Sequence, residues 1–584
     1  MKYQTLLNIL DKICESAPPG FSIYENIKSE EQLSQARSQA FIHLFLMAKC
    51  GVTNFNDRLD LITDGSQDGG LDAYYIDREN KKLLLIQSKF GATKNNFENK
   101  RIESDDLVKM ELDSILKGKC KDCRNIDFND KIKSFQKKWS EISDQALYSY
   151  VAIILGNNQK YADEQMRKLI GSVDYEVYNF EKSYKELVFP LCSGSYYDPK
   201  EIKITINLEN KEQSTLKQDI QTSIGKFPVR VLFVPTKEIG IIMQKYKNSI
   251  LKFNPRNYLT LTRNKVNLNI KDSIINNESN DFAIYNNGIT FIADQFKITE
   301  QTGTENKGQV IMINPQIING GQTAFVLSEV YKQHKESKSD IFDGKEVMIK
   351  VIVLGENLDA NNIFIEKISN ATNQQTRVDE ADRRSNDSIQ IILQENIYNT
   401  FGYFYERKKG EFYNGLNEKY INASFIINRY EFISAYLALK GEAANARRSG
   451  KELFFKEKNF KEIIGNTNDF KKMVFAYRVL SKLNDKGNTV ILKLFGYNFK
   501  YCKMAIIAAV GMLPMSEEIT KDNVDQLAET GVANVAKEWK SFEKFIINEP
   551  NNLPYFSEQH GDFDNYYKGS TINSDIKSFF GKKI

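Results

Sequence analysis

Asp72, Gln87 and Lys89 place one carboxylate, one amide and one lysine within eighteen residues, in the run DGGLDAYYIDRENKKLLLIQSK from Asp68 to Lys89. This is the side-chain inventory of a metal-dependent phosphodiesterase. The three can act together only if the chain folds them onto adjoining elements. Asp72 opens a short apolar segment (Ala73, Tyr74, Tyr75, Ile76), a polar turn follows at 77–81, and a second apolar run extends from Lys82 to Lys89. Two runs this close predict a β-hairpin.

Side chains alternate along a strand, so Leu83, Leu85, Gln87 and Lys89 share one face and Leu84, Ile86 and Ser88 the other. Gly69 and Gly70 permit a tight turn before Asp72. Around the hairpin the pattern predicts an amphipathic helix at Leu33 to Cys50, a polar helical stretch at Asn96 to Lys117 and a very apolar strand at Tyr148 to Leu155. Helices and strands in this succession form a mixed sheet covered by helices.

The pattern GGLD, fourteen intervening residues, then QSK resembles the PD-(D/E)xK nuclease superfamily, in its restriction-enzyme-like branch with Gln as the second polar residue. The resemblance implies that Asp72 and Gln87 hold Mg²⁺, with Mn²⁺ as the alternative ion, and that Lys89 positions or deprotonates the attacking water. It implies DNA as substrate, with RNA as the alternative. The family adds a Glu from an upstream helix; here the matching position holds Gln39, and Asp68 and Asp77 are the substitute carboxylates to consider.

Past residue 200 the chain becomes rich in Asn, Gln, Gly and Tyr. FAIYNNGITFIADQF (282–296) reads as a hairpin around an Asn-Asn-Gly turn. INPQIINGGQTAFVLSEVYKQ (313–333) reads as strand, Gly-Gly turn and amphipathic helix. Such a turn exposes amide N–H groups at a positive helix end, although no GK[ST] follows to make a phosphate-binding loop of the Walker type. YNNGIT, NPQIINGGQT, ISNATNQQTRVDEADRRSND (368–387) and YFYERKKGEFY (403–413), in that order, resemble the AIPR family, named for abortive infection and phage resistance in bacteria. The resemblance covers about 225 to 480, and members often carry an N-terminal nuclease of the kind above. It implies antiphage defence, with amide-rich ligand or nucleotide contacts at Asn286, Asn287, Asn319, Gly320, Gly321, Gln322, Thr323 and Asn373.

A chain of 584 residues, 41% hydrophobic and 27% charged, is too long for one core. We expect an α+β protein in three parts: a PD-(D/E)xK-like mixed sheet flanked by helices (1–195), a central α+β AIPR domain (196–440) and a mainly helical C-terminal region (441–584). The first apolar cluster is broken by Asp11 and Lys12, and the run from Met504 to Met515 is too short to span a bilayer, so the expected location is cytoplasmic with no membrane partner. Three His and six scattered Cys argue against a His-based nuclease or a Ser-His-Asp hydrolase, and the lone CxxC (Cys120, Cys123) lacks the second pair a zinc site wants. With a net charge of only +4, phosphate affinity must come from local patches. Lys131 to Lys138, Arg407 to Lys409 and Arg447 to Lys458 are the candidates, the second with aromatics for stacking. The expected partners are DNA or RNA and a nucleotide or phage-derived trigger; a homo-oligomer is left open.

Overall fold

The computed structural model describes residues 1–581 apart from 104–106, 108–109, 159–162, 171–172, 209–215, 224, 255–264, 276–278, 301–306, 335–340, 355–363, 366–367, 369–379, 448–453, 486–492, 494, 496–498, 516 and 557–562. The chain is a mixed α+β protein, as its patterning predicts, and divides into two compact units: Met1–Ile365 with Glu411–Asn422, and Glu366–Gly410 with Ala423–Ile584.

The first unit begins with α1 (Lys2–Glu15) and α2 (Glu30–Cys50). Ser29 and Gln32 close a capping box at the start of α2, and Gly51, in the left-handed region, ends it. Strands β1 (Ala73–Asp77) and β2 (Lys82–Ser88) form the expected antiparallel hairpin, with Ala73 opposite Ile86 and Asp77 opposite Lys82. β3 (Ser149–Leu155) lies parallel to β2, and β4 (Asp174–Tyr178) parallel to β3, so the sheet runs in chain order. Alternation gives each face its own cover. Tyr74, Leu83, Leu85 and Ile154 form one core with Ile132, Phe135 and Trp139 of α3 (Asp130–Ser140). On the other face α2 packs across the strands, where Phe45 meets Tyr178 at 5.1 Å.

The polar stretch at 96–117 is not one helix. It breaks into Lys94–Asn99, a two-residue strand Arg101–Ile102 paired with Asn157–Asn158, and Leu112–Leu116. Its charged residues carried the helical reading, whereas the burial of Ile102 and Leu107 in the sheet's core sets the actual path.

The rest of the first unit contains β5 (Glu201–Asn207), β6 (Leu216–Gln221), β7 (Lys226–Pro235), β8 (Ile289–Ala293), β9 (Gln295–Glu300), β10 (Lys307–Ile313), β11 (Gln316–Asn319) and β12 (Glu346–Val353). They form a five-stranded sheet of order β11-β8-β12-β7-β6 and a three-stranded sheet of order β9-β10-β5. Helices α4 (Thr236–Tyr246) and α5 (Gly321–His334) pack together, and Gly240 permits it: a Cβ there would lie 2.9 Å from the Leu327 carbonyl oxygen. The expected hairpin at 282–296 is corrected in its first arm, since Phe282–Tyr285 is a helical turn and the strand begins only at Ile289.

The second unit is mainly helical: α6 (Ser388–Phe401), a short parallel pair β13 (Phe404–Glu406) and β14 (Ile426–Asn428), α7 (Arg429–Leu439), α8 (Phe470–Asn484), α9 (Phe499–Gly511), α10 (Val524–Asn548) and α11 (Ile572–Phe580). The apolar runs AYLAL, MVFAYRVL and MAIIAAV lie on α7, α8 and α9. One core joins them, including Ala438, Ala443 and Ala446 on both sides of residue 441. No helix among the described residues is long and apolar enough to cross a membrane.

Candidate functional site

At the carboxyl end of β2 a cleft of about 670 Å³ opens, lined among others by Asp64, Asp68, Asp72, Gln87, Ser88 and Lys89. The hairpin register and the glycine turn make it. Gly69 and Gly70 both take the left-handed conformation (φ +62° and +73°), which swings Asp68 and Asp72 to one side of the turn. Space there admits only glycine at 69, because a Cβ would lie 2.7 Å from the Phe128 ring. The Asp72 amide donates to the Ile86 carbonyl at 2.9 Å, and the Ser88 amide donates to the Asp72 carboxylate at 2.6 Å. The carboxylate is thereby fixed against the last residues of β2.

Asp68 accepts the Gly70 and Gly65 amides at 2.8 and 3.1 Å. The Asp64 amide donates to the Asp72 carbonyl at 3.0 Å, bringing a third carboxylate into the turn. One carboxylate oxygen from each of Asp64, Asp68 and Asp72 lies within 4.8 Å of the others. Burial pushes the Asp72 carboxyl up to about 8, with Asp64 and Asp68 adding to the rise and the Ser88 amide opposing it. Asp68 is raised as well, chiefly by burial. Converging hard oxygen donors with disfavoured charge fit a divalent cation such as Mg²⁺.

Gln87 is buried, at 2% exposure, beside this trio, while Lys89 is exposed at the cleft and its amide donates to the Leu155 carbonyl at 2.9 Å. Of the residues singled out from sequence, Asp68, Asp72, Gln87 and Lys89 thus share one cleft. Asp64 was not among them, and the signal that marks it is the doubled Asp-Gly in DGSQDGG. Gln39 does not complete the set: it is buried and accepts the Tyr24 hydroxyl at 2.8 Å, while α2 offers Ser38 and Ile42 to the cleft. Asp77 lies at the far end of the hairpin, where it accepts the Asn80 amide. Cys120 and Cys123 are free, and the acidic trio is the one His/Cys/Asp/Glu cluster of metal-binding geometry among the described residues.

The amide-rich motifs of the central segment meet at one junction. β8 and β11 are paired antiparallel, with Thr290 opposite Asn319 and a bulge beyond it, which sets YNNG beside NGGQT. Asn286 donates to the Thr323 hydroxyl at 3.2 Å and accepts the Gly288 amide at 2.9 Å; Asn319 accepts the Gly320 amide at 2.7 Å. Thr323 and Gly321 are buried, Gln322 is partly buried, Asn287 is exposed, and Asn373 lies outside the described residues. The stretch 403–413 is no stacking surface. Phe404, Tyr405 and Phe412 are buried, Lys408 is 5% exposed, and Arg407 donates to Gln394 at 2.8 Å and to the Ser385 carbonyl at 3.0 Å.

Fold and cleft define a mixed α+β protein with a carboxylate-lined site at the end of its N-terminal sheet. The family model of the AIPR proteins matches residues 251–551, just over half of the chain, and the protein belongs to that family. No curated protein and no solved structure matches it.

Proposed function

We propose that this AIPR protein is a nuclease of antiphage defence: its N-terminal cleft hydrolyses DNA phosphodiester bonds with Mg²⁺, and its AIPR region regulates that activity. The observation that carries the reading is the convergence of Asp64, Asp68 and Asp72 beside Gln87 and Lys89 at one strand end. A bound Mg²⁺ would neutralise charge on the scissile phosphate and lower the pKa of a coordinated water. Asp64, Asp68 and Asp72, with the Gln87 amide oxygen, would hold the ion. Lys89, at the exposed edge of the cleft, orients the attacking water and helps take its proton. The buried Gln87 and the amide-anchored Asp72 keep these groups in register with the strand.

RNA presents the same phosphodiester chemistry and is the competing substrate. A regulatory binding protein with a weakened site is the second reading, favoured by the direction of Gln39, which leaves α2 without a ligand. Both are tested by incubating the full-length protein with plasmid DNA and with RNA in Mg²⁺, Mn²⁺ or EDTA, beside Asp72→Ala and Lys89→Ala. Each variant is expected to stay folded by circular dichroism and to lose cleavage by orders of magnitude. Full cleavage by a folded Lys89→Ala protein sinks the assignment; absence of cleavage by wild type on either polymer favours the binding protein.

A further inference from the structure

The cleft carries cations that its metal chemistry does not use. Lys100, Arg101 and Arg124 all line it, on two elements separate from the hairpin, and all three are exposed. Neither Lys100 nor Arg101 has an ion-pair partner among the described residues. Exposed lysines are usually solvated surface, but the backbone under this pair is unusually constrained. Asn157 donates its side-chain amide to the Phe97 and Lys100 carbonyls at 2.8 and 3.1 Å, and its side-chain oxygen accepts the Phe180 amide at 2.9 Å. Arg101 and Ile102 then pair with Asn157 and Asn158 just past the end of β3. Gly156 admits this close pairing, since a Cβ there would lie 2.9 Å from the Ile102 side chain.

Arg124 is set by a different device. Asp122, whose side chain is 3% exposed, accepts the Arg124 and Ile126 amides at 2.9 and 2.8 Å and holds the Arg124 guanidinium through Nε and Nη2 at 3.0 and 2.9 Å. The turn is attached to the metal-site loop, because the Glu111 amide donates to the Gly69 carbonyl at 2.8 Å and the Glu111 carboxylate accepts the Cys123 amide. One guanidinium held by a carboxylate and two cations on a backbone fixed at the end of β3, all lining the cleft of the carboxylate cluster, match a ligand that carries negative charge beyond one phosphate.

We infer that Lys100, Arg101 and Arg124 are substrate-positioning residues that grip backbone phosphates flanking the scissile one, so that the site takes a polynucleotide strand and not a mononucleotide or a phosphomonoester. This rests on the nuclease reading of the cleft. The shared ligand chemistry is a polyphosphodiester, and the assay separates its two sources. Labelled duplex DNA and single-stranded RNA are titrated against full-length wild type, Lys100→Ala/Arg101→Ala and Arg124→Ala over a series of salt concentrations, with Ca²⁺ replacing Mg²⁺ so that binding is read apart from cutting. Steady-state cleavage is measured in parallel.

The double variant is expected to flatten the slope of log affinity against log salt by about two on duplex DNA, or by about 1.4 on a single strand. Arg124→Ala should flatten it by about one or less, since Asp122 already takes part of its charge. In cleavage the double variant should raise KM about tenfold at physiological salt and leave kcat unchanged. An unchanged slope with unchanged KM overturns the inference, as does a fall in kcat with slope and KM intact. Wild type that cuts neither polymer refutes the nuclease reading; the salt slopes then still decide whether these residues grip a polyanion.

Discussion

Replacing Asp64 by Asn should move two measurable quantities in opposite directions. In the metal-free protein the three carboxylates repel. Two unit charges 4.8 Å apart, the outer limit of the oxygen separations here, repel by about 3.5 kcal/mol at an effective dielectric near 20. Asp64 is partly exposed, and proton uptake by the cluster relieves some of the strain, so the stabilisation recovered on neutralising it is about 1 kcal/mol. The bonds that Asp64 makes to the Asp72 carbonyl and the Lys131 ammonium run through its backbone, and the substitution leaves them intact.

With Mg²⁺ present the sign reverses, because an amide is a far weaker ligand than a carboxylate for a hard cation. A tenfold loss of affinity, about 1.4 kcal/mol, is the least expected. The assay is urea unfolding of wild type and variant in EDTA and across a Mg²⁺ series. Ligand-linked stabilisation follows RT ln(1 + [L]/Kd), so the Mg²⁺ concentration that gives a fixed rise in midpoint reports relative affinity. Asp64→Asn is expected to be more stable than wild type in EDTA and to need at least about ten times more Mg²⁺ for the same increment. A variant that is less stable in EDTA and keeps the wild-type Mg²⁺ response refutes the metal assignment without any reference to catalysis.

Gln87→Glu should increase metal affinity and shift the Mg²⁺ optimum for cleavage downward, since a charged oxygen replaces a neutral one beside the three aspartates; an unchanged or higher requirement places Gln87 outside the ligand set. His43 is fully buried, stacks on Phe55 at 4.4 Å and accepts Arg58 Nε at 3.1 Å, and burial pushes its pKa down to about 3. The unfolded value is near 6.5, so the unfolded chain binds more protons between these limits and stability falls as pH drops from about 6.5 toward 3. The loss at pH 5 is about 2 kcal/mol and should be absent from His43→Gln in paired urea titrations at pH 7.5 and 5. Asp382→Ala should cost about 3–5 kcal/mol in the same assay, because it strands a buried Arg429 whose side chain is 5% exposed. A loss under about 0.5 kcal/mol would show that water or another acceptor replaces the carboxylate.

The parts of the site that were legible in the sequence are those fixed by local rules. A two-residue period placed Gln87 and Lys89 on one face of a strand, and a glycine pair marked the tight turn before Asp72. Asp64 was hidden because its position depends on a loop that pairs its amide with Asp72, a contact that no period announces. Gln39 misled for another reason. From Gln39 to Leu46 every residue of α2 is buried, so the helix has no polar face to show which side meets the cleft. The RKK patch failed similarly: basic residues interleaved with aromatics look like a nucleic-acid surface, and here the aromatics are core while Arg407 satisfies buried acceptors.

The same comparison bears on what the AIPR motifs do. A backbone that turns from β11 into α5 must pass very close to the start of β8: a Cβ at Gly320 would lie 2.8 Å from the Gly288 carbonyl oxygen and 2.9 Å from the Ile289 Cα. Gly288 is required for a second reason, since a Cβ there would lie 2.6 Å from the Met348 carbonyl oxygen, and the neighbouring Asn286, Asn319 and Thr323 close the turn through their own hydrogen bonds. In the second unit Asp382 pairs with Arg429, Arg384 with Asp387, and Arg407 with Gln394, so the polar residues of the later motifs also hold backbone and helices together. These motif side chains, among the described residues, thus serve packing. Among the described residues the carboxylate cluster and the cleft-lining cations gather at the N-terminal sheet, and on the proposed reading regulation by the AIPR region would act through surfaces such as the exposed Asn287 and its neighbour Tyr285.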